Sequence, residues 1–503
     1  MSLSWNIEEA TIATVQSAYR EGKSTVREVV QAYLDRIAAL DVDGPALNSV
    51  VTVSATALDE ADALDLEYAA RGELSGPLHG VPVLVKDQVA TAGLRTTYGN
   101  RATAGHVPER DATAVARLRE AGAVILGKTT MPDFATSWFS TSSVSGLTKN
   151  PYDLSRDPGG SSSGTAAAIA ANLALVGIGE DTGGSIRLPA SFCNLVGVRV
   201  TPGLISRDGM SPLVVPQDTA GPMTRTVEDA AKVLDVLVGF DPADAYTVAV
   251  RQRRRSASFT EAAAGGSVQG RRLGVLRGAF GDPTDPEAAA VVRVVEDALA
   301  RLAGAGAELV DVEIPGLMDY VGFTSLYFTR SRQDMNAFFA AHPETGIGGV
   351  DEVRASGTYD PHLDLFEGIT DGPEDPRTDP EYLDRVLTRE DFVRAAQAQF
   401  VELGLDAMVF PDVQLAAPTH EDVLGGRWTC LTYPTNTVIA SQLHFPAATV
   451  PAGFTEDRLP VGLEIMTSSF EETDLLAVAR GVEATLDARR TPRLEAVVDP
   501  LTS

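Results

Sequence analysis

Residues 157–202, DPGGSSSGTAAAIAANLALVGIGEDTGGSIRLPASFCNLVGVRVTP, constrain this chain more than any other stretch. Two Gly/Ser-rich loops, 159–164 and 183–185, flank an Ala-rich segment of helix-forming composition at 164–172. Glycine lets backbone N–H groups approach a ligand closely and adopt positive φ. Serine set among glycines therefore places a nucleophile beside main-chain donors, the parts of an acyl-transfer site. The start of the Ala-rich helix would turn its free N–H groups toward the first loop. The spacing Gly159 to Gly164 also fits a phosphate loop, but such a loop next needs Lys and then Ser or Thr. Thr165 and Ala166 follow here, and the phosphate-loop reading fails.

The elements around this stretch alternate between short apolar strands and helices. Thr25 and Glu28 form a capping-box pattern ahead of a helical stripe of Val26, Val29, Val30, Tyr33, Leu34, Ile37 and Leu40. Residues 81–85 read as a buried strand ending in Lys86, followed by a helix at 112–121 and a strand at 124–126. Residues 129–163 form a long Ser/Thr-rich segment, of a length that often carries function. The alternation resumes with helices at 227–237, 286–302, 389–403, 435–442 and 472–486 and strands at 273–276, 309–314, 407–410, 447–450 and 461–466. This is the pattern of an α/β sheet with helices on its faces. Residues 340–385, rich in Gly, Pro, Asp and Glu, lack periodicity and read as a surface insertion or lid. No repeat or linker divides the 503 residues, so one large domain is expected, with residues 1–75 as a helical region packed on it.

Composition removes several function classes. The net charge of −28 argues against binding a phosphate backbone, which needs clustered Lys and Arg. The one basic cluster, RQRRR at 251–255, reads as a solvated surface segment. Two cysteines, Cys193 and Cys430, cannot build a disulfide framework and suit a reducing compartment. Six histidines without ligand spacing give no metal site. The start MSLSWNIEEATIATVQ has no signal-peptide character, and no apolar run is long enough to span a membrane. A cytoplasmic location is expected.

Three ordered motifs together resemble the amidase signature family of serine hydrolases. GVPVLVKD at 80–87 is similar to the family's catalytic-lysine strand, GGSSSG at 159–164 to its GGSSGG loop, and DTGGSIRLPASFC at 181–193 to its nucleophile loop. GKTTMPDF near residue 130 and FPAATVPAGF to VGLEIM at 445–466 extend the resemblance over most of the chain. It implies one large α/β domain with a central mixed β-sheet covered by helices on both faces, occupying residues 76–503. It also implies a triad of nucleophile Ser185, relay Ser161 after a cis Gly160–Ser161 bond, and base Lys86. The N–H groups of Thr182, Gly183, Gly184 and Ser185 would form the oxyanion hole, with Ser162, Asp181 and Arg187 in support. Ser163, Glu180, Thr130 and Asp133 depart from the usual family residues, and none replaces a triad member.

A lysine base must be neutral, and its ordinary pKa is about 10.4, so burial has to lower it. The expected activity is hydrolysis of a small-molecule amide with water, without cofactor, metal, nucleic acid or membrane, by a chain for which a homodimer is allowed. Trp138, Phe139, Tyr327, Trp428 and Tyr433 either line a substrate pocket or pack in the core. The first alternative favours neutral aryl and alkyl amides, with esters and carbamates as further substrates. Arg427 or Arg330 would attract an anionic group locally. Two rivals remain: the amidase component of a glutamine-dependent tRNA amidotransferase, and a non-catalytic binding protein on the same fold.

Overall fold

The structure, a computed structural model, describes residues 5–252 and 257–494. Most of the basic cluster at 251–255 therefore lies outside the described residues; Arg251 is exposed. Eleven strands form one sheet. In chain order they are β1 (Val50–Val53), β2 (Pro82–Lys86), β3 (Val124–Thr129), β4 (Val176–Asp181), β5 (Val196–Arg199), β6 (Thr219–Thr224), β7 (Arg272–Leu276), β8 (Glu308–Val312), β9 (Ala407–Pro411), β10 (Ala447–Phe454) and β11 (Pro460–Met466). The order across the sheet is β1-β3-β2-β4-β6-β5-β10-β11-β9-β7-β8. β2 runs parallel to β3 and β4, and β7 parallel to β8 and β9, while β6, β5, β10 and β11 join these two parallel groups through antiparallel pairs. The result is a single α/β domain with a mixed sheet flanked by helices on both faces.

Burial explains the composition of the central strands. Every residue of β2, β3 and β4 is buried, which requires cover on both faces and favours continuous apolar runs over alternation. Full burial of a side chain such as Val83 or Ile125 contributes about 1.5–3 kcal/mol. The helix Ser163–Ala170 is buried on every side, so its alanines let it lie directly against the sheet. Gly177 of β4 makes this approach possible, because a Cβ there would run into Thr165 and Ile169. Nearer the N-terminus, Thr25 and Glu28 close the expected capping box on the helix Val26–Arg36, and Val26, Val29, Val30 and Tyr33 form its buried stripe.

Several elements differ from the sequence reading. The N-terminal region, read as helical, contributes edge strand β1, whose four residues leave no room for a visible period. β4 and β6, VGIGED and TAGPMT, escape a hydrophobic-period reading because their small residues accommodate close neighbours. A Cβ at Gly179 would meet Ile186 and Ser162, and one at Gly221 the Val198 carbonyl. Residues 340–385 carry the helices Val350–Ser356 and Asp364–Asp371. Helices of seven and eight residues are too short to impose a period on a Gly/Pro-rich sequence. Val350, Val353, Leu365, Phe366 and Ile369 nevertheless join a second core with Phe134, Trp138, Phe139 and Tyr327. Among the described residues, no helix is long and apolar enough to cross a membrane.

Candidate active site

β2 and β4 are hydrogen-bonded neighbours, and both end at the same place with polar residues. Lys86 closes β2 and is fully buried. Its Nζ donates to Ser161 Oγ at 2.7 Å and to the Glu180 carbonyl at 3.3 Å. Glu180 Oε2 lies 3.6 Å from the same nitrogen. Burial drives the lysine below its ordinary range, opposed by the negative charges of Glu180 and Asp181. The amine can thus reach the neutral form that accepts a proton.

Ser161 sits after a cis Gly160–Ser161 peptide bond, in a loop held by buried contacts. Asp157 Oδ1 accepts from the Gly159 N–H at 2.8 Å, and the Thr130 carbonyl accepts from the Gly164 N–H at 3.0 Å. Gly159 has φ +80°, and Leu188 and Phe192 occupy the space a Cβ would need. Ser162 ties the two serine loops together. Its N–H donates to the Ser185 carbonyl at 3.1 Å, and its Oγ contacts the backbone of Glu180 at 3.3–3.4 Å.

The loop after β4 is built on Asp181. Its carboxylate accepts from the Gly184 N–H at 2.9 Å and the Ile186 N–H at 3.2 Å. Two guanidinium groups also reach it, Arg187 at 3.0–3.1 Å and Arg199 at 2.9 Å. Burial opposes ionisation of Asp181, but Arg187 and Arg199 outweigh it and hold the acid well below the carboxylate range. Arg187 in turn donates to Glu464 and, at 2.8 Å, to Ser441 Oγ. These ties fix the backbone that carries Ser185, which is 2% exposed.

The Gly184 N–H, one of the four expected oxyanion donors, already donates to the Asp181 carboxylate, whereas no such tie is made by the N–H groups of Thr182, Gly183 and Ser185 to that carboxylate. Gly184 itself has φ +130°, and the Thr437 side chain fills the space beside it. Thr437 Oγ1 donates to the Gly183 carbonyl at 2.9 Å, and Gln217 Nε2 to the Thr182 carbonyl at 3.1 Å, so the loop's carbonyls are turned outward.

The five aromatic candidates divide into two groups. Trp138 and Tyr327 meet edge to face at 6.4 Å, and both pack on Gly183, two residues before Ser185. Phe139, Trp428 and Tyr433 form a separate cluster with ring centroids 5.4–5.6 Å apart. The Tyr433 hydroxyl is satisfied by the carbonyls of Leu415 and Ala416. Trp428 lines a different cavity of about 360 Å³ with Arg156, Glu287 and Arg427. Arg427 is paired with Glu287 and Asp422, and Arg330 with Asp334, so both expected anion-attracting arginines already have carboxylate partners. Sequence reading gave no role to Arg199 and Glu464, although they lie within the quoted stretches, and missed Asp218, Gln217 and Thr437, which lie outside them. Asp218 accepts from Thr182 Oγ1 at 2.6 Å.

With this geometry in place, comparison with known proteins is direct. A sequence profile of the Amidase family matches residues 28–476. The chain belongs to the amidase signature family. It is similar to a glutamyl-tRNA(Gln) amidotransferase subunit of a Synechococcus species, with 34% identity over 95% of this chain and 97% of the relative. Among solved structures it resembles native peptide amidase from Stenotrophomonas maltophilia, with TM-score 0.84 and 34% identity, covering 97% of this chain and 99% of that one. The corresponding glutamyl-tRNA(Gln) amidotransferase subunit from Thermotoga maritima superposes with TM-score 0.76 and 27% identity, covering 99% and 100%. This amidase-signature chain is an enzyme of the Ser–Ser–Lys type that works through an acyl-enzyme.

The comparisons correct one expectation. Eight curated relatives, 32–36% identical, are named as subunits of an amidotransferase whose name includes a tRNA. This overturns the exclusion of a nucleic-acid partner. The charge argument tests only whether a chain neutralises phosphates with its own surface, and one member of a larger assembly need not do so.

Proposed function

We propose that Ser185 is the nucleophile, Ser161 the proton relay and Lys86 the base in release of ammonia from the side-chain amide of glutamine. In this reading the chain is the amidase component of a tRNA amidotransferase. Ser185 Oγ bonds to the amide carbon as its proton passes through Ser161 to neutral Lys86 Nζ. The carbonyl electron pair moves to oxygen, where the N–H groups of Thr182, Gly183 and Ser185 receive it. Collapse breaks the C–N bond, and the proton returns through Ser161 to the departing nitrogen. Ammonia leaves at this point, and water then cleaves the acyl-enzyme by the same relay, giving glutamate and free Ser185.

The observation that carries this reading is the end-to-end similarity to these amidotransferase subunits. It replaces the preference for neutral aryl and alkyl amides, since Phe139 and Tyr433 are packed among other rings. A second reading, a free-standing peptide amidase, is favoured by the higher TM-score of 0.84 against 0.76. Comparing kcat/KM for glutamine, a C-terminally amidated dipeptide and a neutral anilide separates them. The first reading expects glutamine to be preferred. Efficient turnover of the amidated dipeptide with none of glutamine would replace it by the second.

A further inference from the structure

Glu180 is the residue of this site that the Ser–Ser–Lys scheme leaves unused. It is 2% exposed, yet it carries a carboxyl group into the triad. Oε2 faces Lys86 Nζ at 3.6 Å and has no hydrogen-bond partner. Oε1 accepts from Thr182 Oγ1 at 3.2 Å, and the same hydroxyl donates to Asp218 at 2.6 Å. Glu180 also lines a cavity of about 290 Å³, whose walls include Arg207, Ser211, Asp218, Asp334 and Phe338. Glu180 therefore borders both Lys86 and a cavity whose lining is largely apolar.

We propose that Glu180 is a positioning residue for Lys86, sharing a proton with it across the 3.6 Å gap and setting the pH at which the amine becomes a base. This rests on Lys86 being the base. The step is one proton transfer: Lys86 ammonium gives H⁺ to the Glu180 carboxylate, leaving neutral amine and carboxylic acid. The groups facing Glu180 support this exchange. Burial raises its pKa, Asp218 and Asp181 raise it further, and Lys86 and the Thr182 hydroxyl oppose them. Arg199 and Tyr327 also lie within its field, and on the cavity side Asp334 and Arg207 are paired with Arg330 and Asp244. The negative charge of Glu180 in turn holds Lys86 higher than burial alone would.

The test is the pH dependence of Ser185 acylation by a fluorophosphonate probe and of kcat/KM in Glu180→Gln, which keeps the shape and removes the charge. Without the carboxylate the ammonium is less favoured, so the acidic limb should move to lower pH. A shift of one unit means about tenfold more activity, relative to plateau, below the limb. Glu180→Asp should restore the limb toward wild type. An unmoved limb in Glu180→Gln overturns the proposal. Should that variant not fold, infrared titration of the wild type and Lys86→Met decides. A buried carboxyl band should titrate with the activity limb and move to higher pH without the lysine; a band indifferent to Lys86 overturns the proposal. Full activity in Lys86→Met would instead refute the assignment of the base.

Discussion

Two lysines on neighbouring strands, Lys86 at the end of β2 and Lys128 near the end of β3, are both fully buried. Each has a carboxylate at ion-pair distance, Glu180 at 3.6 Å and Asp87 at 3.8 Å. Burial brings each of them down to about 8 against the charge of that carboxylate. The strands pair Val85 with Lys128 and Lys86 with Thr129, so the two side chains leave the sheet on opposite faces. Lys128 donates to the Val89 carbonyl and, at 2.9 Å, to Thr96 Oγ1, whereas Lys86 donates to Ser161. The difference teaches that a depressed lysine is not by itself a base. Only Lys86 of the two meets a hydroxyl on the loop that Ser162 ties to Ser185.

The strongest way to break this contrast is to remove the nucleophile to which one side leads. Ser185→Ala should lose turnover by about 10⁴-fold or more and all labelling by a serine-directed probe. Labelling that persists would place the acyl group elsewhere. The next test separates the lysines themselves. Lys86→Met should lower kcat by about 10²–10⁴. Lys128→Met should leave Asp87 buried without its cation and cost about 3–5 kcal/mol of stability, read by denaturant unfolding, with turnover per folded molecule retained. A Lys128 variant that folds normally but is inactive would erase the distinction.

The pH profile sharpens it further. The base works as neutral amine, so below the folded pKa of Lys86 each pH unit removes about ninefold to tenfold of the competent form. kcat/KM should therefore rise with pH and level off above about 8. Lys128 titrates in the same range but should leave the limb in place when replaced. A limb displaced by Lys128→Met would mean that the two sides of the sheet communicate.

Much of this contrast was legible in the sequence, for a physical reason. Close loops around a nucleophile need glycine where φ is positive, and Gly159 and Gly184 stand in the motifs with φ of +80° and +130°. The strand before Lys86 needs continuous apolar residues because both its faces are covered. The supports of Asp181 were not legible: Arg199 comes from β5, and Glu464, which holds Arg187, from β11. Both stand in quoted stretches, but only the order of the strands across the sheet brings them to Asp181 and Arg187. Lys128 stands in GKTTMPDF, but the face it takes depends on a one-residue register between β2 and β3. The helices between 350 and 371 were hidden by their shortness, although their apolar residues build the second core.

The smallest expected effects come from two consecutive aromatics that repeat the contrast in miniature. Trp138 packs on Gly183 and Tyr327, two residues from Ser185 along the loop, while Phe139 turns to Tyr433 with ring centroids 5.4 Å apart. Both are nearly inaccessible, so burial does not separate them. Phe139→Leu keeps an apolar side chain but loses ring contacts, and it should cost about 1–2 kcal/mol with KM unchanged. Trp138→Phe removes bulk directly over the loop and should change KM for the preferred amide by about threefold to tenfold, within the 1–3 kcal/mol range of apolar pocket contacts. Denaturant midpoints and steady-state kinetics on the two variants read these effects separately. If Phe139→Leu alters KM while Trp138→Phe affects only stability, the substrate approaches from the side of the Tyr433 cluster, and the expectation that Trp138 borders it fails.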